Sequence, residues 1–155
     1  VDRLDQKIIA ELQSDGRLSL TDLASRVGLT LSPTHRRVRD LERSGAIAGY
    51  RAIVNPAALG LQFEALVFVT MKQEDRETLL GFEEQVAHIP NVLQAQRLFG
   101  DPDYLLRVRT VDLDAYAQLE DDVLATLPGV QRLTSTLVMK NVVTDRGYPT
   151  DASLS

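Results

Sequence analysis

The sequence predicts an α+β chain in two parts: a three-helix head of helix-turn-helix type, then a ferredoxin-like βαββαβ domain. Three observations carry this. Over the first 45 positions apolar residues recur with a helical period, in three short runs separated by Gly-containing stops. From residue 62 the pattern switches between strand and helix periods in the order strand, helix, strand, strand, helix, strand. Charge divides along the same line. Residues 1–54 carry nine Lys and Arg against seven Asp and Glu, a net +2; the rest carries eight against fifteen, a net −7, for −5 overall. That is the sign expected of a basic head on an acidic body.

In the head, Leu4, Ile8, Ile9 and Leu12 share one helical face, with Asp2 placed to cap the start and Asp15-Gly16 to stop it. A second helix starts at Ser19, whose hydroxyl can accept from the backbone N–H of Asp22. Leu20, Leu23, Ala24 and Val27 form its apolar face and Gly28 ends it. The third helix is expected to begin at Ser32-Pro33, a good N-cap followed by a residue that needs no N–H in a first turn. Ser44-Gly45 is its stop. Ile47 to Val54 is rich in β-formers and is expected to be extended, and Asn55-Pro56 breaks it.

In the second part, strands are expected over Phe63–Met71, Val92–Phe99, Tyr104–Thr110 and Val130–Val143. Helical spacing links Leu79, Phe82, Val86 and Ile89, and again Leu113, Tyr116, Leu119, Val123 and Leu127. The expected divisions are 1–54 for the head with its linking strand, 55–61 for a linker, 62–145 for the second domain and 146–155 for a polar tail, mobile from Gly147. A four-stranded sheet with helices on one face leaves the other bare. A second copy is the simplest cover, so at least a dimer is expected.

Composition narrows the function. Cysteine is absent, which removes disulfides and thiolate chemistry. No apolar run reaches the roughly 18 residues of a membrane span and no signal segment opens the chain, so no membrane partner and a cytoplasmic home are expected. The chain starts at Val1 rather than Met, so a few residues are expected before it. With two histidines, and no nucleophile elbow, phosphate loop or metal-binding His pair, the sequence offers no catalytic, cofactor or metal site.

A helical wheel for residues 32–44 puts Thr34, Val38 and Leu41 toward the head's core. Ser32, Pro33, Arg36, Arg39, Asp40 and Arg43 lie opposite, with His35 and Arg37 on the flanks. An arginine fork pairs bidentately with guanine in a major groove, and the N-terminal end of a recognition helix reaches deepest. Arg36 is therefore the base-reading candidate. Arg37, Arg39 and Arg43 are expected on phosphates, Ser32 and Thr34 add hydroxyl contacts, and His35 is a further candidate contact. The plainer alternative is a solvated face with Asp40 and Glu42 as partners.

These residues resemble the Lrp/AsnC (leucine-responsive, feast/famine) family of regulators along nearly the whole chain. The resemblance runs through Leu4-Asp5 with Ile8-Ile9 and Leu23 to Leu29. It continues through Ser32-Pro33-Thr34 with Arg36 to Glu42, Gly45-Ala46-Ile47, Gly49-Tyr50 with Val54-Asn55-Pro56, and Gly100 to Leu106. It implies a winged-helix-type DNA-binding head on a ferredoxin-like sensing domain that pairs by its sheets. Dimers assembling into tetramers or octamers, double-stranded DNA as partner and an amino acid or related metabolite as effector follow from it. Asp40 departs from the basic residue frequent there in the family.

The resemblance also places the effector near the Gly100–Asp103 turn, at a junction between dimers. Backbone N–H groups at Gly100 and Asp101 can hold a carboxylate, and Asp101 or Asp103 can pair with an amino group. Tyr104 is expected over the ligand, and Thr134, Ser135 and Thr136 supply hydroxyls. An ordinary hairpin turn would look the same. An architectural, chromatin-like DNA-organising protein with little sequence choice is the alternative function on the same fold.

Overall fold

The computed structural model describes residues 1–151. The chain forms two compact units: one from Val1–Ile53 together with the chain from Val142 onward, the other from Val54–Asn141.

The first unit holds α1 (Arg3–Ser14), α2 (Leu20–Val27) and α3 (Leu31–Arg43). Its core is Ile8, Leu23, Val27, Val38 and Leu41, with Leu12, Leu18, Leu20 and Ile47 packed around them. Asp2 and Asp5 form a reciprocal capping box at the start of α1, with N–H to carboxylate distances of 2.9 and 3.1 Å. Two carboxylates there also suit the positive end of the helix dipole. Ser19 caps α2 by accepting from Asp22 N at 3.0 Å. Gly28 takes a left-handed φ of 74°. The N–H of Leu29 then reaches Ala24 O and that of Gly28 reaches Ser25 O, the paired bonds of a Schellman close.

The start of α3 differs from the sequence expectation. Thr30 is its N-cap, though without a side-chain cap bond, and Leu31 its first residue, so Ser32 and Pro33 are the second and third helical positions. The first four N–H groups of any helix lack a partner within it. Pro33 therefore fits anywhere in that turn and does not mark its first position.

Residues 48–55 form no strand and are exposed. Extended backbone becomes a strand only where a neighbour pairs with it, and none of the described residues does so here. Asn55 instead caps a short 3-10 turn, Pro56–Leu59, by accepting from Ala57 N at 3.1 Å.

The second unit contains β1 (Phe63–Met71), α4 (Arg76–Ala87), β2 (Val92–Arg97), β3 (Tyr104–Thr110), α5 (Leu113–Asp122) and β4 (Val130–Leu137). The sheet order is β2-β3-β1-β4, antiparallel throughout. This is the ferredoxin-like arrangement. Alternate residues Ala65, Val67, Val69 and Met71 of β1 and Tyr104, Leu106 and Val108 of β3 are buried under Phe82 and Val86 of α4 and Tyr116 of α5. The other face carries Leu66, Phe68 and Leu105, half-exposed.

Three boundaries fall short of the expectation. Strand β2 ends at Arg97 rather than Phe99. Helix α5 stops at Asp122 and gives way to a 3-10 turn, Leu124–Thr126, so its helical spacing overruns the helix. Strand β4 ends at Leu137 rather than Val143, where its ladder with β1 stops. Leu137 pairs with Ala65, and the last bond of this ladder is Val138 N to Glu64 O. Gly129, just before β4, has φ of 73°, and a Cβ there would collide with Thr78 of α4.

The segment expected to be mobile from Gly147 is held, over the described residues, against α1. Gln13 bonds to both backbone groups of Tyr148, and Gln6 accepts from Asp151 N at 2.8 Å.

Candidate nucleic-acid interface and effector turn

Helix α3 buries Thr34, Val38 and Leu41, one side of a 3.6-residue repeat. Ser32, His35, Arg36, Arg39, Asp40 and Arg43 are exposed on the rest of its surface, and Pro33 is half-exposed. Among the described residues, Arg36, Arg39 and Arg43 form no ion pair, with Asp40, Glu42 or any other carboxylate. Three guanidinium groups thus stand open to a partner.

Two expected contact residues are placed elsewhere. Thr34 is fully buried, and its hydroxyl donates to Thr30 O at 2.9 Å, so it braces the first turn of the helix from inside. Arg37 donates to both oxygens of Asp2, at 2.7 and 2.9 Å, and to Asp5 at 3.0 Å. It ties α3 to the start of α1. The Arg37 hydrogen bond is the main reason the Asp2 carboxyl lies below its usual range, with the Asp5 N–H adding to it. The Thr34 bond is local, four residues back, whereas the partners of Arg37 lie more than thirty residues away.

At the β2–β3 turn, Gly100 (φ 141°) and Asp101 are exposed. Asp103 fastens the turn to the end of β1. Its carboxylate accepts from Met71 N at 2.7 Å, its N–H donates to Val69 O at 2.9 Å, and its carbonyl accepts from Leu98 N at 2.8 Å. The Glu74 carboxyl is raised, chiefly by its hydrogen bond with Asp103.

Tyr104 does not lie over the turn. Its ring is buried 4.5 Å from that of Phe82, and its hydroxyl donates to Glu83 at 2.6 Å. Burial, then the Glu83 carboxylate, push the phenol up to about 12. A residue opening a central strand with even parity to Leu106 and Val108 must share their buried face. Nor are the three β4 hydroxyls equivalent. Ser135 bonds to the Tyr116 hydroxyl beneath α5. Thr134 and Thr136 stand opposite Phe68 and Leu66 on the bare face. The turn joins β2 to β3 while β4 lies across β1, so one chain does not bring the two sets together.

Two charged clusters escaped the sequence reading. Glu64, buried on the otherwise bare face, has Arg107 and Arg109 at 3.6 and 3.5 Å and accepts from Asn141 at 2.9 Å. Arginines two apart in an otherwise apolar strand are the signal that marks them. Glu83 joins Arg97 and Tyr104 beside a cleft of about 310 Å³ between α4 and β2. The Tyr104 hydrogen bond, then Arg97, hold its carboxyl below the usual range.

A helix-turn-helix head with an open basic face, joined to a ferredoxin-like domain, defines a two-part DNA-binding regulator. Residues 1–48 match the winged helix-turn-helix DNA-binding model, and residues 64–148 match the Lrp/AsnC ligand binding domain. The chain belongs to the Lrp/AsnC family of transcriptional regulators.

It is 40% identical over 143 residues to the Bkd operon transcriptional regulator of Pseudomonas aeruginosa, covering 92% of this chain and 94% of that protein. It is 38% identical to the leucine-responsive regulatory protein of Escherichia coli K12, covering 92% and 87%. Among solved structures, a Neisseria meningitidis transcriptional regulator in complex with L-Met superposes with a TM-score of 0.93, at 32% identity and 98% coverage of both chains. The feast or famine regulatory protein of M. tuberculosis complexed with L-methionine gives a TM-score of 0.85 at 33% identity, covering 95% of this chain and 97% of that one. No helix among the described residues is long and apolar enough to cross a membrane.

Proposed function

We propose that this protein is a sequence-specific regulator, acting in the cytoplasm as a dimer or a larger assembly of dimers, whose DNA binding responds to an amino acid. The observation that carries DNA reading is the surface of α3. Arg36, Arg39 and Arg43 stand exposed, with no ion pair among the described residues, around a helix whose opposite side is packed. Arg36, nearest the N-terminal end, reads a base. Arg39 and Arg43 hold phosphates, and Ser32, Pro33 and His35 complete the contact. The bare sheet face, with Leu66, Phe68 and Leu105 half-exposed beside the Glu64 cluster, supports pairing with a second copy.

The turn at Gly100–Asp103 is the proposed effector site. Its exposed Gly100 and Asp101 offer backbone N–H groups to a carboxylate, and Asp101 offers an oxygen to an ammonium. Thr134 and Thr136 join it only if a second copy contributes them. An amino-acid effector is supported by the two similar regulators solved with L-methionine.

The test combines two measurements. Duplexes selected on the protein from a random pool are compared with random DNA at fixed salt; a specificity ratio near one overturns the sequence-specific reading. Thermal unfolding is then followed with L-leucine, L-methionine and the other amino acids. A ligand bound only by the folded state raises the midpoint, by about 2.7 kcal/mol of stability at a hundredfold excess over Kd. The shift should disappear in Asp101→Ala. A flat response across all amino acids removes the effector.

A further inference from the structure

The segment after β4 has no part in either site, yet from Val142 onward it belongs to the compact unit of the head. Its hold is specific. Gln13 of α1 turns both ends of its amide to one backbone position: Nε2 donates to Tyr148 O at 3.0 Å and Oε1 accepts from Tyr148 N at 2.6 Å. That is the pair of bonds one strand offers another. Two turns earlier on the same face, Gln6 accepts from Asp151 N at 2.8 Å. Gly147 lies against the clasp, where an added Cβ would stand 3.0 Å from both Cδ and Oε1 of Gln13. Thr150 is buried. The Tyr148 side chain is 85% exposed, so α1 grips backbone rather than ring.

The chain therefore passes between the two units twice, after Ile53 and after Asn141. The first passage lies in the exposed stretch 48–55 without secondary structure. A single open tether leaves a head free to sample many orientations. A second tether, clasped at its far end, closes a loop and removes part of that freedom before DNA arrives. For an assembly that binds two half-sites together, less freedom to lose means a higher effective concentration of the second head.

We propose that Gln13 and Gln6 are positioning residues: they clasp residues 147–151 to α1, and this second tether orients the heads for simultaneous binding of two half-sites. The inference rests on the dimeric, DNA-binding reading above.

The test opens the clasp from each side, with Gln13→Ala, which keeps a strong helix former, and with Gly147→Val. Hydrogen exchange follows the Tyr148 amide. Affinity is measured for a duplex selected on the wild-type protein that carries two half-sites, and for its single-half-site version. Both variants should lose protection at Tyr148. Affinity for the double site should fall about tenfold, while that for the single half-site changes less than about twofold.

An equal fall on both duplexes would mean local damage to the head and overturn the positioning role. So would unchanged double-site affinity once protection is lost. Retained protection in both variants overturns the clasp itself. A wild-type protein that sediments as a monomer, or selects no duplex, refutes the functional reading instead. The positioning role then falls with it, and exchange at Tyr148 still judges the clasp.

Discussion

Thr34→Val separates a residue that shapes the recognition helix from one that touches DNA. Thr34 is completely buried, and its hydroxyl donates to Thr30 O at 2.9 Å. Valine keeps the shape and removes that bond. A typical intramolecular hydrogen bond contributes about 0.5–1.5 kcal/mol net. Thr30 O keeps one long bond, from Thr34 N at 3.4 Å, so it is weakened rather than stranded. The added methyl recovers up to about 0.8 kcal/mol by burial. The balance is a destabilisation between about zero and 1.5 kcal/mol, read as a small drop in unfolding midpoint.

DNA affinity should stay within about twofold. A hydroxyl donating to a phosphate would instead contribute about 1.5–3 kcal/mol, and its loss would weaken binding tenfold or more. Fluorescence anisotropy on a selected duplex, paired with a urea titration, measures both quantities. A tenfold loss of affinity with unchanged stability would place the Thr34 hydroxyl on DNA and refute the helix phasing.

Other outcomes follow from the same geometry. Arg36→Ala should cost about 1–3 kcal/mol in binding and relax preference at one base position per half-site. Arg43→Ala should weaken all sequences alike and reduce the salt slope by about one, so similar selection profiles for the two variants would contradict their separate roles. The Tyr104 phenol, raised to about 12, keeps its proton in the folded chain after the unfolded chain has lost it. Stability should therefore fall as pH rises from about 10 toward 12, and Tyr104→Phe should flatten that window; an unchanged slope in denaturant titrations refutes the assignment. Gly129→Ala meets both a left-handed backbone and the Thr78 side chain, and should destabilise the second unit by at least about 1–2 kcal/mol, read from its unfolding transition.

Much of this protein is written in its local pattern. The bounds of β1 and β3 follow from short runs rich in Val, Leu, Phe and Tyr set off by polar or turn residues. The inward side of α3 follows from a 3.6-residue repeat, and the caps at Asp2 and Ser19 from residue types that satisfy a helix start by themselves. These depend on neighbours within a few positions. The same pattern misplaced whatever depends on a distant partner.

The wheel set Arg37 at the flank of a DNA-facing surface, and only the fold brings Asp2 and Asp5 to it. Residues 47–54 and 138–143 have strand composition, but a strand exists only where a neighbour pairs with it, and the ladder between β4 and β1 ends at Leu137. The loop-like polarity of residues 147–151 suggests mobility, yet the backbone groups that polar loops leave open are those Gln13 and Gln6 hold. Periodicity belongs to the chain and was legible in it. Partnership is decided by which surfaces the folded chain brings within bonding distance, and only the tertiary structure holds that.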